Sequence, residues 1–172
     1  MMNYGVALFP SKPLQDLANS YRMRYDPHYT LIPPHVTLKE PFELEEQELP
    51  SVVKRVREIA KGVDPFPLEV YKVDTFYPVS NTLFFKIREH SALTELYEQL
   101  HTSPFKRNEK YSFVPHLTIG QNLSYDELSD NLGRLKMKQI QHEEIVDRIQ
   151  LLYQLDNGSW TVYETFKLGK EE

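Results

Sequence analysis

The pentapeptide Pro-His-aliphatic-Thr-aliphatic occurs twice in this chain. It stands in PPHVTLKEPF, from Pro33, and in VPHLTIGQNL, from Val114, which puts His35 and His116 81 positions apart. Short stretches that alternate in this way read as strands, where residues i and i+2 share a face. His35 and Thr37 then point together, and so do His116 and Thr118. Val36 and Leu38, like Leu117 and Ile119, point the other way. Each copy is predicted to be held by apolar burial on one face while it presents an imidazole and a hydroxyl on the other.

The elements around the motifs repeat too. YGVALF (4–9) has the pattern of a buried strand. Residues 11–25 read as a helix, with Ser11 at its cap and Pro13 in its first turn. HVTLKE (35–40) is a strand that ends before Pro41, and residues 45–62 form an amphipathic helix stopped by Gly62. Strands at 66–76 and 82–89, a helix at 91–102 and the motif strand at 113–120 follow. A helix with a Ser124–Glu127 capping box comes next, and then two strands across the turn Asn157-Gly158. Divided near residue 80, the order is β-α-β-α-β and then β-α-β-α-β-β, with one motif on the second strand of each part. The chain is therefore expected to be one α+β domain over 1–172, with pseudo-repeat halves at about 1–80 and 81–172 related by a pseudo-twofold axis. No Gly/Ser linker separates the halves. The two His-Thr pairs would then face each other across a groove.

Composition narrows the function. A formal net charge of −5 argues against a protein that coats duplex DNA, since those carry a basic excess. The absence of cysteine removes disulfides, thiolate metal sites and a cysteine nucleophile together. No stretch has the length of a membrane-spanning helix, and the N-terminal apolar run is too short for a secretory signal. A cytoplasmic monomer is the expectation. No His-x-His or His-x₃-His spacing suggests a metal site, and the six glycines form no phosphate-binding loop. Neither a metal nor a cofactor is expected.

Two facing imidazoles have a direct chemical use. With an unperturbed pKa of about 6.5, one can act as base while the other acts as acid. Breaking a phosphodiester needs one proton taken from the nucleophile and one given to the leaving oxygen. Two threonine hydroxyls can donate to the non-bridging oxygens as charge develops there. A single His-aliphatic-Thr would be weak evidence, since threonine is common in strands. Two copies in register, on equivalent strands, are a different matter.

The paired motifs HVTL and HLTI, with FVPHLTIGQNLS and LLYQLDNGSWTVYETFKLG, resemble the 2H phosphoesterase superfamily, and most of all its small Bacillus-type members. That resemblance implies a bilobal fold, with two antiparallel sheets lining a central cleft and helices outside. It implies His35 as proton donor, His116 as proton acceptor, and Thr37 and Thr118 as phosphate-binding groups. The substrate would be a small nucleotide or RNA end carrying a 2′,3′-cyclic phosphate, hydrolysed without a metal. The alternative is a nucleotide or RNA-end binding module that uses the same cleft with little turnover.

Further candidates are less specific. Lys39 shares the parity of His35 and Thr37, so it can face the groove, or it can be a solvated strand-end lysine. Arg22, Arg24, His28, Lys106, Arg107 and Lys110 lie in or beside the loops before the motif strands; such loops could flank the cleft mouth and steer a phosphate, though for each residue singly solvated surface charge is the ordinary reading. His90, His101 and His142 fall among polar residues at element ends and are expected at the surface. Tyr4, Tyr153, Trp160 and Tyr163 lie on strands, where one could stack on a nucleobase but core packing is the more common fate, and none is assigned.

Overall fold

The computed structural model describes residues 1–105 and 112–170. Lys106, Arg107 and Lys110 lie outside that range. The described residues form eight strands and four α-helices: β1 (Met2–Leu8), α1 (Lys12–Tyr25), β2 (Val36–Leu44), α2 (Leu49–Lys61), β3 (Phe66–Thr75), β4 (Leu83–Ile87), α3 (Ser91–Gln99), β5 (His116–Gly120), α4 (Tyr125–Lys138), β6 (His142–Val146), β7 (Arg148–Gln154) and β8 (Trp160–Lys167). The α+β class is as expected.

All strand pairs are antiparallel, in the order β6-β3-β4-β5-β2-β1-β7-β8. The two motif strands, β2 and β5, are neighbours at the centre, joined through the single pair Val36–Leu117. The two expected sheets are thus four-stranded parts of one sheet, continuous at one point and splayed beyond it.

The expected division near residue 80 does not separate the two parts of the sheet. One part holds β1, β2, β7 and β8, and the other holds β3 to β6. The units β1-α1-β2 and β4-α3-β5 do stand symmetrically about the β2–β5 join. The chain then crosses over, with β3 pairing in the second part and β7 in the first. The crossing occurs at Asp147. There EEIVDRIQLLYQL, which reads as one strand, breaks into β6 against β3 and β7 against β1. Strand β2 also runs four residues beyond the expected stop at Glu40, through Pro41. The ladder to β1 is irregular between the pairs Val6–Lys39 and Tyr4–Phe42, so a proline is accommodated there without a missing donor.

The core follows the alternation read from the sequence. Val36, Leu38, Leu117 and Ile119 are all buried among Leu8, Leu14, Phe85 and Leu96. Ser124 and Glu127 form the expected capping box on α4. Gly158, with φ 89°, makes the β7–β8 turn, a backbone conformation that favours glycine. No helix among the described residues is long and apolar enough to cross a membrane.

Candidate active site

A cleft opens where β2 and β5 diverge, and it has two chambers. One, of about 490 Å³, is lined by His35, Thr37 and Thr118 together with Arg22, Lys39 and Gln121. The other, of about 460 Å³, is lined by Thr37 and His116 with Phe76, Val79, Tyr97 and Phe113. Thr37 borders both; His35 and Thr118 line the first chamber, and His116 lines the second.

The two imidazoles are held alike. Nδ1 of His35 donates to the Pro33 carbonyl at 2.8 Å, and Nδ1 of His116 donates to the Val114 carbonyl at 2.7 Å. A carbonyl can only accept, so both rings carry the proton on Nδ1 when neutral, and Nε2 is left as the nitrogen for chemistry. In each case the acceptor lies two residues earlier, one step before the proline that precedes each histidine. Aromatic rings fix the imidazole planes from the side: Phe9 at 6.4 Å from His35, and Phe76 at 4.9 Å and Phe84 at 5.2 Å from His116.

Both rings are driven toward the neutral form. Burial in the cleft pushes His35 down to about 4; Arg22 and His116 add to the shift, while the Pro33 carbonyl and Asp26 oppose it. Burial also lowers His116, opposed by the Val114 carbonyl.

Around His35 the floor is charged and tightly bonded. Arg22 is only 2% exposed. Its Nε donates to Asp26 at 3.2 Å, and its terminal nitrogens donate to Asn19 Oδ1 at 2.7 Å and the Ile32 carbonyl at 2.6 Å. Asp26 Oδ1 in turn accepts from the His28 backbone N–H and from Gln121 Nε2. Arg22 is therefore part of the cavity wall and not a surface charge, whereas His28 is half exposed at its mouth. Lys39 also lines the cavity and is 4% exposed, which corrects the reading of a solvated strand-end lysine.

Lys39 Nζ donates to Glu40 at 3.1 Å, and Glu40 pairs at 2.9 Å with Nε2 of His101, whose Nδ1 donates to the Tyr97 carbonyl. Burial pulls the Glu40 carboxyl upward, but the bonds from His101 and Lys39 outweigh it and hold it below its usual range. His101 is thus buried, contrary to expectation, because a carboxylate 61 residues away meets it. His90 and His142 are half-buried: the first caps α3 by accepting from Ala92 N–H, and the second pairs with Glu144.

Sequence reasoning missed Gln121, Gln154, Phe76, Tyr97 and Phe113 as cleft residues. Gln121 directly follows the second motif strand, a position that could have flagged it; the others carry no local signal. Trp160 was expected to pack, yet it borders the chamber of His35. Among the described residues, no three His, Asp or Glu side chains gather as a metal-binding group.

Comparison with known proteins agrees with this architecture. The family model of the 2'-5' RNA ligase superfamily matches residues 9–158. "Putative phosphoesterase OB1230" of Oceanobacillus iheyensis is 54% identical over 170 residues, covering 99% of this chain and 100% of the relative. A "Putative phosphoesterase" from Bacillus pumilus is 55% identical over 170 residues, with 99% of each chain covered. Among solved structures, TT0787 of Thermus thermophilus shares the fold with a TM-score of 0.73 at 18% identity, covering 99% of this chain and 100% of that one. E. coli LigT complexed with 3'-AMP does so with a TM-score of 0.70 at 12% identity, covering 97% and 98%. LigT has also been crystallised with NADP+ and with ATP. This chain therefore belongs to the 2'-5' RNA ligase superfamily, the two-histidine (2H) phosphoesterases.

Proposed function

We propose that the cleft hydrolyses a cyclic phosphodiester, of the 2′,3′-cyclic phosphate type, on a small nucleotide or an RNA end. His35 and His116 transfer the protons, and Thr37 and Thr118 hold the phosphate. The matched pose of the two imidazoles carries this reading: each is fixed in the same tautomer, each is accompanied by a threonine two residues on, and both border one cleft. The nucleotides bound by LigT, a distant relative of the same fold, support the substrate class.

Ring opening proceeds as water gives a proton to one Nε2 and attacks phosphorus, while the departing ribose oxygen receives a proton from the other. The threonine hydroxyls donate to the non-bridging oxygens, where negative charge grows. One ring must be protonated, although burial by itself drives both toward neutrality. The substrate reverses this. An anion at ~4 Å, at an effective dielectric of ~20, attracts an imidazolium by ~4 kcal/mol, equivalent to about three pKa units. That is enough to bring a ring at about 4 back to near neutrality.

The test is hydrolysis of nucleoside 2′,3′-cyclic phosphates and of short RNAs with a cyclic end, followed by phosphorus NMR in the presence of EDTA. His35→Ala and His116→Ala should each lose about 10²–10⁴-fold in rate with the circular dichroism of the wild type retained. Near-normal turnover by either variant overturns the pairwise mechanism. Tight binding of these nucleotides with no turnover by the wild type would make the cleft a binding module instead.

A further inference from the structure

We infer that Lys86 and Lys72 form a subsite for a second phosphate, the one on O5′ of the ribose that carries the reacting cyclic phosphate. This rests on the cyclic phosphodiester reading and adds a feature that the substrate must bear.

The sequence of β3 breaks its own period. In FPLEVYKVDT, Phe66, Leu68 and Val70 alternate into the core, and a strict alternation would send Lys72 after them. The ladder to β4 prevents this. It shifts between the pairs Val70–Ile87 and Lys72–Lys86, with Tyr71 as the extra residue of a bulge. Beyond the bulge Val73 is the buried residue, and Lys72 is turned to the other face, directly opposite Lys86.

That face is the one His116 uses. Lys86 pairs on its other side with His116, and Phe84, which shares the face of Lys86, meets the His116 ring at 5.2 Å. Phe85 and Ile87 point the opposite way, into the core on which α1 and α4 pack. His116, Lys86 and Lys72 therefore form one row across three strands, with successive residues about 5 Å apart.

Folding alone does not account for this row, because like charges directly opposite on a sheet repel. Lys72 is half exposed and has Asp74 at 3.7 Å. Lys86 is half-buried, and among the described residues no carboxylate pairs with it. An anion held between the two ammonium groups replaces the repulsion by two attractions. Carboxylates flank the row on both sides: Asp74 on one, and on the other Glu69, which Arg88 holds at 2.8 Å and which faces Glu143. They confine the positive potential to a spot that fits one phosphate and not a long polyanion. The row starts at His116, so this phosphate lies about one sugar away from the reacting one. On a nucleotide that is the O5′ phosphate, either a monoester or the diester that continues an RNA chain.

The deciding experiment is calorimetric binding of a nucleoside 3′-monophosphate and of the matching 3′,5′-bisphosphate, which requires no turnover. The wild type should bind the bisphosphate about 10-fold or more tightly than the monophosphate. Lys86→Met, which keeps the apolar stem, should bring that ratio close to one, and Lys72→Met should lower it. Lys54→Met, on the exposed side of α2, should leave it as in the wild type. Equal affinities in the wild type, or a ratio that survives in both Lys86→Met and Lys72→Met, overturn the subsite. If Lys86→Met fails to fold, the exposed Lys72→Met decides by the same ratio. A dinucleotide with a 3′-phosphate separates the two sources: binding as tight as the bisphosphate assigns the subsite to the diester of an RNA end, and binding as weak as the monophosphate assigns it to a terminal monoester. Turnover judges the underlying reading separately. Absence of hydrolysis on every cyclic phosphate would overturn that reading while the binding ratio still decides the subsite, and hydrolysis with a ratio of one would overturn the subsite alone.

Discussion

Replacing His35 by glutamine should flatten the acid side of the stability curve. In the folded protein the His35 ring is pushed down to about 4, chiefly by burial. In the unfolded chain it titrates at about 6.5. A group whose folded pKa is depressed contributes stability that is fully present above its unfolded pKa. That contribution is lost as pH falls toward the folded value, because the unfolded state binds the proton first. Integrated from about pH 7.5 to about pH 5, the loss from this single ring is about 2 kcal/mol, or about 4–8 °C in Tm for a domain of this size. Urea unfolding of wild type and His35→Gln at the two pH values measures it. The lowered carboxyls of Glu40 and Asp147 are present in both proteins and cancel in the difference, and His116 is lowered mainly by burial, which His35→Gln leaves in place. The wild type should lose about 2 kcal/mol more than the variant over this interval. Parallel losses in the two proteins would mean that the ring is not held neutral by the cleft, and the account of substrate-induced protonation would fall with it.

Two other outcomes follow from the same geometry. Inorganic phosphate, titrated into the protein while the imidazole carbon resonances are followed by NMR, should raise the titration midpoints of both His35 and His116; midpoints that stay fixed at saturating phosphate would remove the shared anion site. Arg22→Met should cost about 3–5 kcal/mol in urea unfolding, since Arg22 and Asp26 are a buried pair at 3.2 Å and the variant leaves the carboxylate uncompensated; Arg22→Met with Asp26→Asn should recover part of that loss, and no recovery would show that the pair is not the source.

The motif strands were legible because strand periodicity is local. His35, Thr37, His116 and Thr118 share faces as the alternation requires, and their aliphatic neighbours are buried. What surrounds them was not legible, because it depends on pairings distant in sequence. The break at Asp147 lies inside an unbroken alternating run and is imposed by partners on opposite parts of the sheet. Lys39 is buried with its Nζ bonded to Glu40, a carboxylate that also meets the distant His101, and Arg22 turns inward because Asn19, Asp26 and the Ile32 carbonyl receive it. The proline before each histidine is not the residue that accepts from the ring. Its neighbour one step earlier supplies the carbonyl in the second copy, and a second proline does so in the first.

The two histidines stand on different parts of the sheet, and the one ladder contact between those parts among the described residues is the pair Val36–Leu117. The chain ties the parts together in a second way: it leaves the first after β2 to build β3, and returns at Asp147 to build β7. Helix packing adds a third, since α1 lies against β5 and α3 against β2, each across the join. A catalyst that must hold two proton-transfer groups about one phosphorus gains most when that geometry exists before the substrate arrives. Packing across the join favours it, with each imidazole further fixed by a backbone carbonyl close to its own strand.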